Sequence, residues 1–169
     1  MTIFQASDTR IRVATSEDAA VLGAYGAQLM ALHHQWDPKR FISSNDKTPQ
    51  SYARYLSSQL GKDDVLVIVA EEDNAIVGYC YGAIEGYDYM ALRGPAGVLH
   101  DLFVDPRKRR CGLGRALIEA AVDALAQRGA TQIVLSTAYQ NEVGKRLFAA
   151  AGFQPTMVEM TRQLDPRTP

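Results

Sequence analysis

Residues 107–114, RKRRCGLG, follow a strand-like apolar run, VLHDLFV (98–104), and open a helix of apolar periodicity. At a strand-to-helix junction the first helical N–H groups have no intrahelical partner and point outward with the positive end of the helix dipole. Gly112 and Gly114 remove the side chains that would hold a phosphate away from those groups, and Arg107, Lys108, Arg109, Arg110 and Arg115 add charge and forked donors. The chemistry is anion binding, and the length of the cradle suits a pyrophosphate. A lone Gly-x-Gly is ordinarily a turn with solvated neighbours. Cations gathered at one turn, in a chain of formal net charge −1, favour the anion site. No Gly-Lys-Ser/Thr follows as in a P-loop, and the three-glycine dinucleotide fingerprint is incomplete.

The strand before this turn carries His100 and Asp101. A histidine can exchange a proton near neutral pH. Strand alternation sends the two side chains to opposite sides unless a bulge intervenes. His100 therefore reads as a base or as a structural histidine paired with a carboxylate. Further back, EGYDYM combines Glu85 and Asp88 with Tyr87 and Tyr89. That mixture suits a cationic amine through charge and aromatic faces, and equally suits an exposed loop. His33, His34 and Asp37 do not make a zinc helix, because adjacent helical residues point about 100° apart, so no metal is expected. Trp36 reads as a helix-end anchor or a pocket wall, and with no interleaved basic residues nucleic acid is not an expected partner.

These groups must be positioned by alternating elements. RIRVA (10–14) reads as a strand, and residues 15–36 as a helix with Thr15 or Ser16 as N-cap. Pro38, Pro49 and a Ser/Asn/Asp cluster make residues 37–49 a loop, and QSYARYLSSQL (50–60) a shorter helix. Two β-rich runs around Glu72–Asn74 form a hairpin. Residues 112–129 are the clearest helix, with Gly129 as its cap, followed by a strand in TQIVLST (131–137), a helix ending at Gly152 and a last strand in MVEMTRQL (157–164). The fold class is α/β (α+β), one mixed, mostly antiparallel sheet with helices on both faces.

A length of 169 residues fits a single domain over 1–169, with residues 1–9 as a flexible leader. The pI of about 6.3 gives no global attraction to nucleic acid or an anionic membrane. Cys80 and Cys111 have no paired spacing and read as reduced thiols. No signal-like or membrane-length apolar run is present, so a cytoplasmic protein with no membrane partner is expected.

The segment RRCGLG resembles the R/Q-x-x-G-x-G/A motif of the GCN5-related N-acetyltransferases, the GNAT family. LFVDP before it and NEVGKRLFAAAGF after it resemble the neighbouring family segments, and the likeness in element order runs over 11–164. The resemblance implies an acyl-CoA-binding fold, with acetyl-CoA as acyl donor and no metal. It places the pyrophosphate at Arg109, Arg110, Cys111, Gly112, Leu113, Gly114 and Arg115, and pantetheine along the backbone of Leu102, Phe103 and Val104. Asn141 would contact the coenzyme or cap its helix. His100 occupies a position where relatives often carry a glutamate base, so catalysis is expected from His100 and Asp101, with His100 favoured. Phe148 stands where relatives place a tyrosine that protonates the leaving thiolate; Tyr139 is one substitute, and an unassisted thiolate is another route. The family builds its acceptor pocket from the first helices and the strands beside the catalytic one, here with Trp36, Glu85 and Tyr87. The implied activity is direct transfer of acetyl to a primary amine of a small molecule. A protein or peptide acceptor and a non-catalytic acyl-CoA-binding module are alternatives, and a homodimer fits the family habit.

Overall fold

The computed structural model describes residues 9–164. Most of the leader expected over 1–9 therefore lies outside the described residues. The chain forms β1 (Arg10–Val13), α1 (Ala19–Trp36), α2 (Thr48–Gln59), β2 (Val65–Glu72), β3 (Ala75–Glu85), β4 (Ala96–Val104), α3 (Leu113–Gln127), β5 (Ile133–Leu135) and α4 (Glu142–Ala150). Short 3₁₀ turns precede α1 and follow β4. The five strands make one sheet in chain order, antiparallel except for the parallel β4–β5 pair.

The β2–β3 hairpin closes through Asp73 and Asn74, both at positive φ (51° and 62°), a two-residue turn whose twist matches the strands. Alternation along β2 and β3 splits the core into two layers. Leu66, Ile68, Val77 and Cys80 pack with Leu113, Leu117, Ala121 and Leu125 of α3 on one face. Val67, Val69, Tyr79, Tyr81 and Phe103 pack with Leu22, Tyr25 and Leu56 of α1 and α2 on the other. Helices thus cover both faces.

The strand expected over 157–164 is not formed. Residues 153–164 have no regular structure, and Met157, Val158 and Met160 remain exposed. Alternating residues make a strand only where they pair with an edge and bury a face, and among the described residues this segment pairs with no strand. It is tied instead to the loop after α1, by Arg40 with Glu159 and by the Gln163 amide donating to the Lys39 carbonyl at 3.4 Å.

Candidate active site

A β-bulge in β4 decides where His100 and Asp101 point. Tyr81 of β3 pairs with Asp101 and Gly82 with Leu99, so His100 is the extra residue. The bulge brings both side chains to the face covered by α1 and α2. There the His100 ring lies 5.1 Å from that of Tyr81, and its Nε2 is 2.7 Å from Oε1 of Glu85. The other Glu85 oxygen accepts from Arg93 at 3.2 Å. Glu85 is thus occupied by His100 and Arg93.

Asp101 is half-buried, and the desolvation of its carboxyl pushes its pKa up to about 7. Its Oδ2 accepts hydrogen bonds from the phenols of Tyr52 and of Tyr79, the latter at 3.0 Å. Oδ1 has no hydrogen bond among the described residues, yet it is not sealed from solvent. One oxygen is held while the other is open.

Tyr52 reaches Asp101 because α1 and α2 approach closely. A Cβ on Gly23 would run into the Pro49 carbonyl, and one on Gly26 into the Tyr52 ring. These helical glycines trade intrinsic helix stability for contact. Beside Tyr52, residues of α1, α2 and their connecting loop line a groove of about 510 Å³ that includes Met30, Asn45, Lys47, Ser51 and Tyr55. The Tyr55 hydroxyl meets that of Tyr81 at 3.0 Å.

On its other edge β4 pairs with β5 only through Gly97, Val98 and Leu99. Beyond Leu99 that edge is open. The Asp105 N–H bonds the Val77 carbonyl across the sheet, so by alternation Val104 and Leu102 turn their peptide groups to the open edge while Phe103 turns its own to β3. The Val104 carbonyl accepts from Arg109 Nε at 3.0 Å, and the Arg109 guanidinium lies 5.9 Å from the Phe103 ring centre.

The basic turn divides by partner. Arg107 is committed to Asp105 (2.7 Å), holding that carboxyl down at about 2, and Lys108 to Glu72 (2.5 Å). Arg115 has only a 3.5 Å contact with Glu119 one turn on, and Arg110 has no ion pair among the described residues. Arg110 and Gly112 both adopt positive φ (67° and 84°). The Cys111 thiol donates to the Lys108 carbonyl at 2.9 Å, and the Leu113 side chain is buried beneath the turn. Gly114 faces the Leu147 methyl and Val104, which a Cβ there would meet at 3.1 and 3.7 Å. Free N–H groups, missing side chains and uncommitted arginines fit an acyl-CoA diphosphate.

Asn141 caps α4, its Oδ1 accepting from the Gly144 N–H at 2.9 Å and its Nδ2 donating to Thr137 at 3.0 Å. Phe148 packs edge-on against Phe153. Tyr139 is 84% exposed, with Lys145 Nζ 4.7 Å from its ring centre. Trp36 packs beside His33, which also meets Phe41, and does not line the groove. Tyr87 stacks on Tyr89 in the exposed β3–β4 loop, which Asp88 closes by pairing with Arg93. Sequence reasoning missed Tyr52. Its only signal was Gly23 and Gly26 on one face of a helix, spaced as at a close crossing.

Among the described residues no helix is long and apolar enough to cross a membrane, and no cluster of three potential metal ligands occurs. Among relatives, an uncharacterized N-acetyltransferase, YhfO of Bacillus subtilis, is 26% identical over 146 residues, covering 85% of this chain and 89% of that protein. An aminoglycoside N(6')-acetyltransferase type 1 of Klebsiella aerogenes is 29% identical over 101 residues, 60% of this chain and 66% of that protein. The same fold occurs in BH1408 of Bacillus halodurans (TM-score 0.80, 22% identity, 92% of this chain and 99% of that one). It occurs again in a predicted acetyltransferase of Clostridium acetobutylicum solved with acetyl-CoA (TM-score 0.71, 20% identity, 90% and 96%). Residues 29–153 match the family described as Acetyltransferase (GNAT) family, and the chain belongs to that family of acyltransferases.

Proposed function

We propose that the protein transfers an acetyl group from acetyl-CoA directly to the primary amine of a small molecule, with His100 as the base. The observation that carries this reading is the bulge at His100, which turns a proton-accepting side chain to the helix-covered face where the opposite edge of the strand comes free. Acetyl-CoA supplies the acetyl group as a thioester. Arg110, Arg115 and Arg109, which is held only by the Val104 carbonyl and the Phe103 ring, and the first-turn N–H groups of α3 hold its diphosphate, and the open edge at Leu102 and Val104 offers backbone groups to the pantetheine arm.

An alkyl amine has a reference pKa near about 10.4 and reaches the site protonated, so a proton must leave before attack. Glu85 fixes Nε2 of His100, leaving Nδ1 as the nitrogen that accepts the proton. Glu85 thereby acts through His100 rather than on the acceptor. Phe148 has no proton to give, and the thiolate leaves without help from that position. The groove's volume lies within the range typical of small-molecule sites, about 300–1,000 Å³, which favours a small acceptor.

The test is thiol release from acetyl-CoA with pooled polyamines, aminoglycosides, amino acids and short peptides. Turnover in a small-molecule pool supports the reading, and turnover with peptides alone replaces it with a protein acceptor. Coenzyme binding without turnover in any pool favours a non-catalytic module.

A further inference from the structure

Arg93 is a cation that neither the proton transfer nor the coenzyme turn uses. Its side chain is only 14% exposed, although Tyr87, Tyr89, Met90 and Leu92 of the same β3–β4 loop stand out in solvent. The loop is built to fold it back. Asp88 and Arg93 exchange both backbone hydrogen bonds at 2.9 Å, Asp88 Oδ1 accepts from the Met90 and Ala91 N–H groups at 3.0 Å, and Leu92 takes a positive φ of 53°. The returned guanidinium donates through Nη2 to Glu85 Oε2 at 3.2 Å and through Nη1 to the Gly94 carbonyl at 3.1 Å, with Asp88 Oδ2 3.9 Å away. Arg93, Glu85 and His100 thus stand in a row, with one oxygen of the carboxylate turned to each neighbour.

We infer that Arg93 is a positioning residue for the base: it holds Glu85 with Oε1 turned to His100 Nε2, and its charge offsets the pull of that carboxylate on the imidazole's proton. This rests on the reading of His100 as the base. A carboxylate beside a histidine favours the charged ring, and a second cation on the same carboxylate disfavours it. A base that must accept a proton from an alkylammonium gains from starting neutral. The other groups around His100 are Tyr81 on β3, its hydroxyl paired with Tyr55 of α2, and Asp101 next to it on β4. Burial pushes the Tyr81 phenol up, so it stays neutral near pH 7, whereas Asp101 titrates in that range.

The test needs neither acceptor nor coenzyme. Long-range proton–nitrogen NMR of the full chain, labelled with nitrogen-15, reads which ring nitrogen of each histidine carries the proton and the midpoint of its titration. His33 and His34, bonded to the Leu29 and Phe41 carbonyls, serve as internal references. Neutral His100 is expected to carry its proton on Nε2. Arg93→Gln is expected to raise the His100 midpoint by about 0.5–1 at low ionic strength, with the rise shrinking in 0.5 M salt because the pair is half-exposed. Arg93→Lys keeps the charge and is expected to restore most of the original midpoint. The comparison is repeated in Asp101→Asn, which removes the one neighbour that titrates over the same range, and the same rise is expected there. A proton on Nδ1 in the unsubstituted chain overturns the inference, as does a midpoint that Arg93→Gln leaves in place or that Arg93→Lys raises equally. An arginine that only braces the loop would lower the melting temperature in both variants without moving His100. Thiol release and CoA binding play no part in these readouts, so failure of this inference is separable from failure of the acetyltransferase reading.

Discussion

The Tyr52 ring lies directly over Gly26, in the space a Cβ at that position would occupy. Alanine is intrinsically better than glycine in a helix by about 1 kcal/mol, so Gly26→Ala would stabilise α1 if the helix were isolated. Here the methyl must displace an aromatic ring, and overpacking of this kind costs about 1–3 kcal/mol. Gly26→Ala is expected to lower thermal stability and to separate Tyr52 from Asp101. A melting temperature at or above that of the unsubstituted protein would mean that α1 and α2 are not in this contact.

Glu85 meets His100 through one oxygen and Arg93 through the other. If Glu85 orients the imidazole and balances the charge it gains, Glu85→Gln keeps the shape and loses the charge. The expected result is a fall in kcat on the order of 10-fold or more with little change in the KM of the amine. A rise in KM alone would assign Glu85 to acceptor binding instead.

The carboxyl of Asp101, raised to about 7 by burial, makes stability depend on pH. A group whose folded pKa exceeds its unfolded value binds more protons when folded. Its contribution is therefore fully present below the unfolded value, near about 3.9, and is lost as pH rises through about 7. Asp101→Asn, which cannot ionise, is expected to be more stable than the unsubstituted protein at pH 8 by roughly 1–3 kcal/mol, with the difference shrinking towards pH 5. Denaturant midpoints at the two pH values measure it. Equal differences at both would show that Asp101 does not titrate in this range.

Most of the element order was legible in the sequence because it rests on local signals. Asp73-Asn74 sets a hairpin turn, Gly129 and Gly152 end helices at positive φ, and the apolar stripe of α3 meets the sheet as its period requires. The strand expected over 157–164 failed because alternation states what a segment could bury, not whether it docks on a sheet edge. In the site, the basic glycine turn could be read from residue types, whereas the commitment of Arg107 to Asp105 and Lys108 to Glu72 depends on folded geometry. The bulge at His100 was a condition that sequence could pose and not decide, since it arises from the pairing of β4 with β3. Tyr52 was out of reach, because its contact with Asp101 spans α2 to β4 and exists only through the glycine-dependent crossing of α1 and α2.

The two classes of cation in the basic turn separate by their expected losses. Arg107 pairs with the buried Asp105, so Arg107→Ala is expected to cost stability and to leave coenzyme affinity nearly unchanged. Arg109 and Arg115 have weaker internal commitments, and replacing both by alanine is expected to weaken CoA binding about 10-fold or more with little effect on folding. Calorimetric titration with CoA and thermal melts of the same samples give both readouts. Unchanged CoA affinity in the double variant would remove the diphosphate from this turn.

Gly114 separates what the anion site needs from what the backbone of the turn needs. Gly112 adopts φ 84°, where any side chain is strained, so its substitution cannot tell the two apart. Gly114 is helical, without a positive φ, and a Cβ there would meet only the flexible end of Leu147 at 3.1 Å and a Val104 methyl at 3.7 Å. Leu147 can yield a few tenths of an ångström, so Gly114→Ala is expected to be close to neutral for stability, helped by alanine's better helix propensity. That methyl points at Leu147 and Val104 and leaves the first-turn N–H groups of α3 accessible, and the family motif admits alanine at this position. CoA affinity is therefore expected to be retained within a few-fold while the melting temperature changes little. A fall in affinity of about 10-fold or more would mean that the methyl enters the diphosphate's approach and that the coenzyme itself requires glycine here.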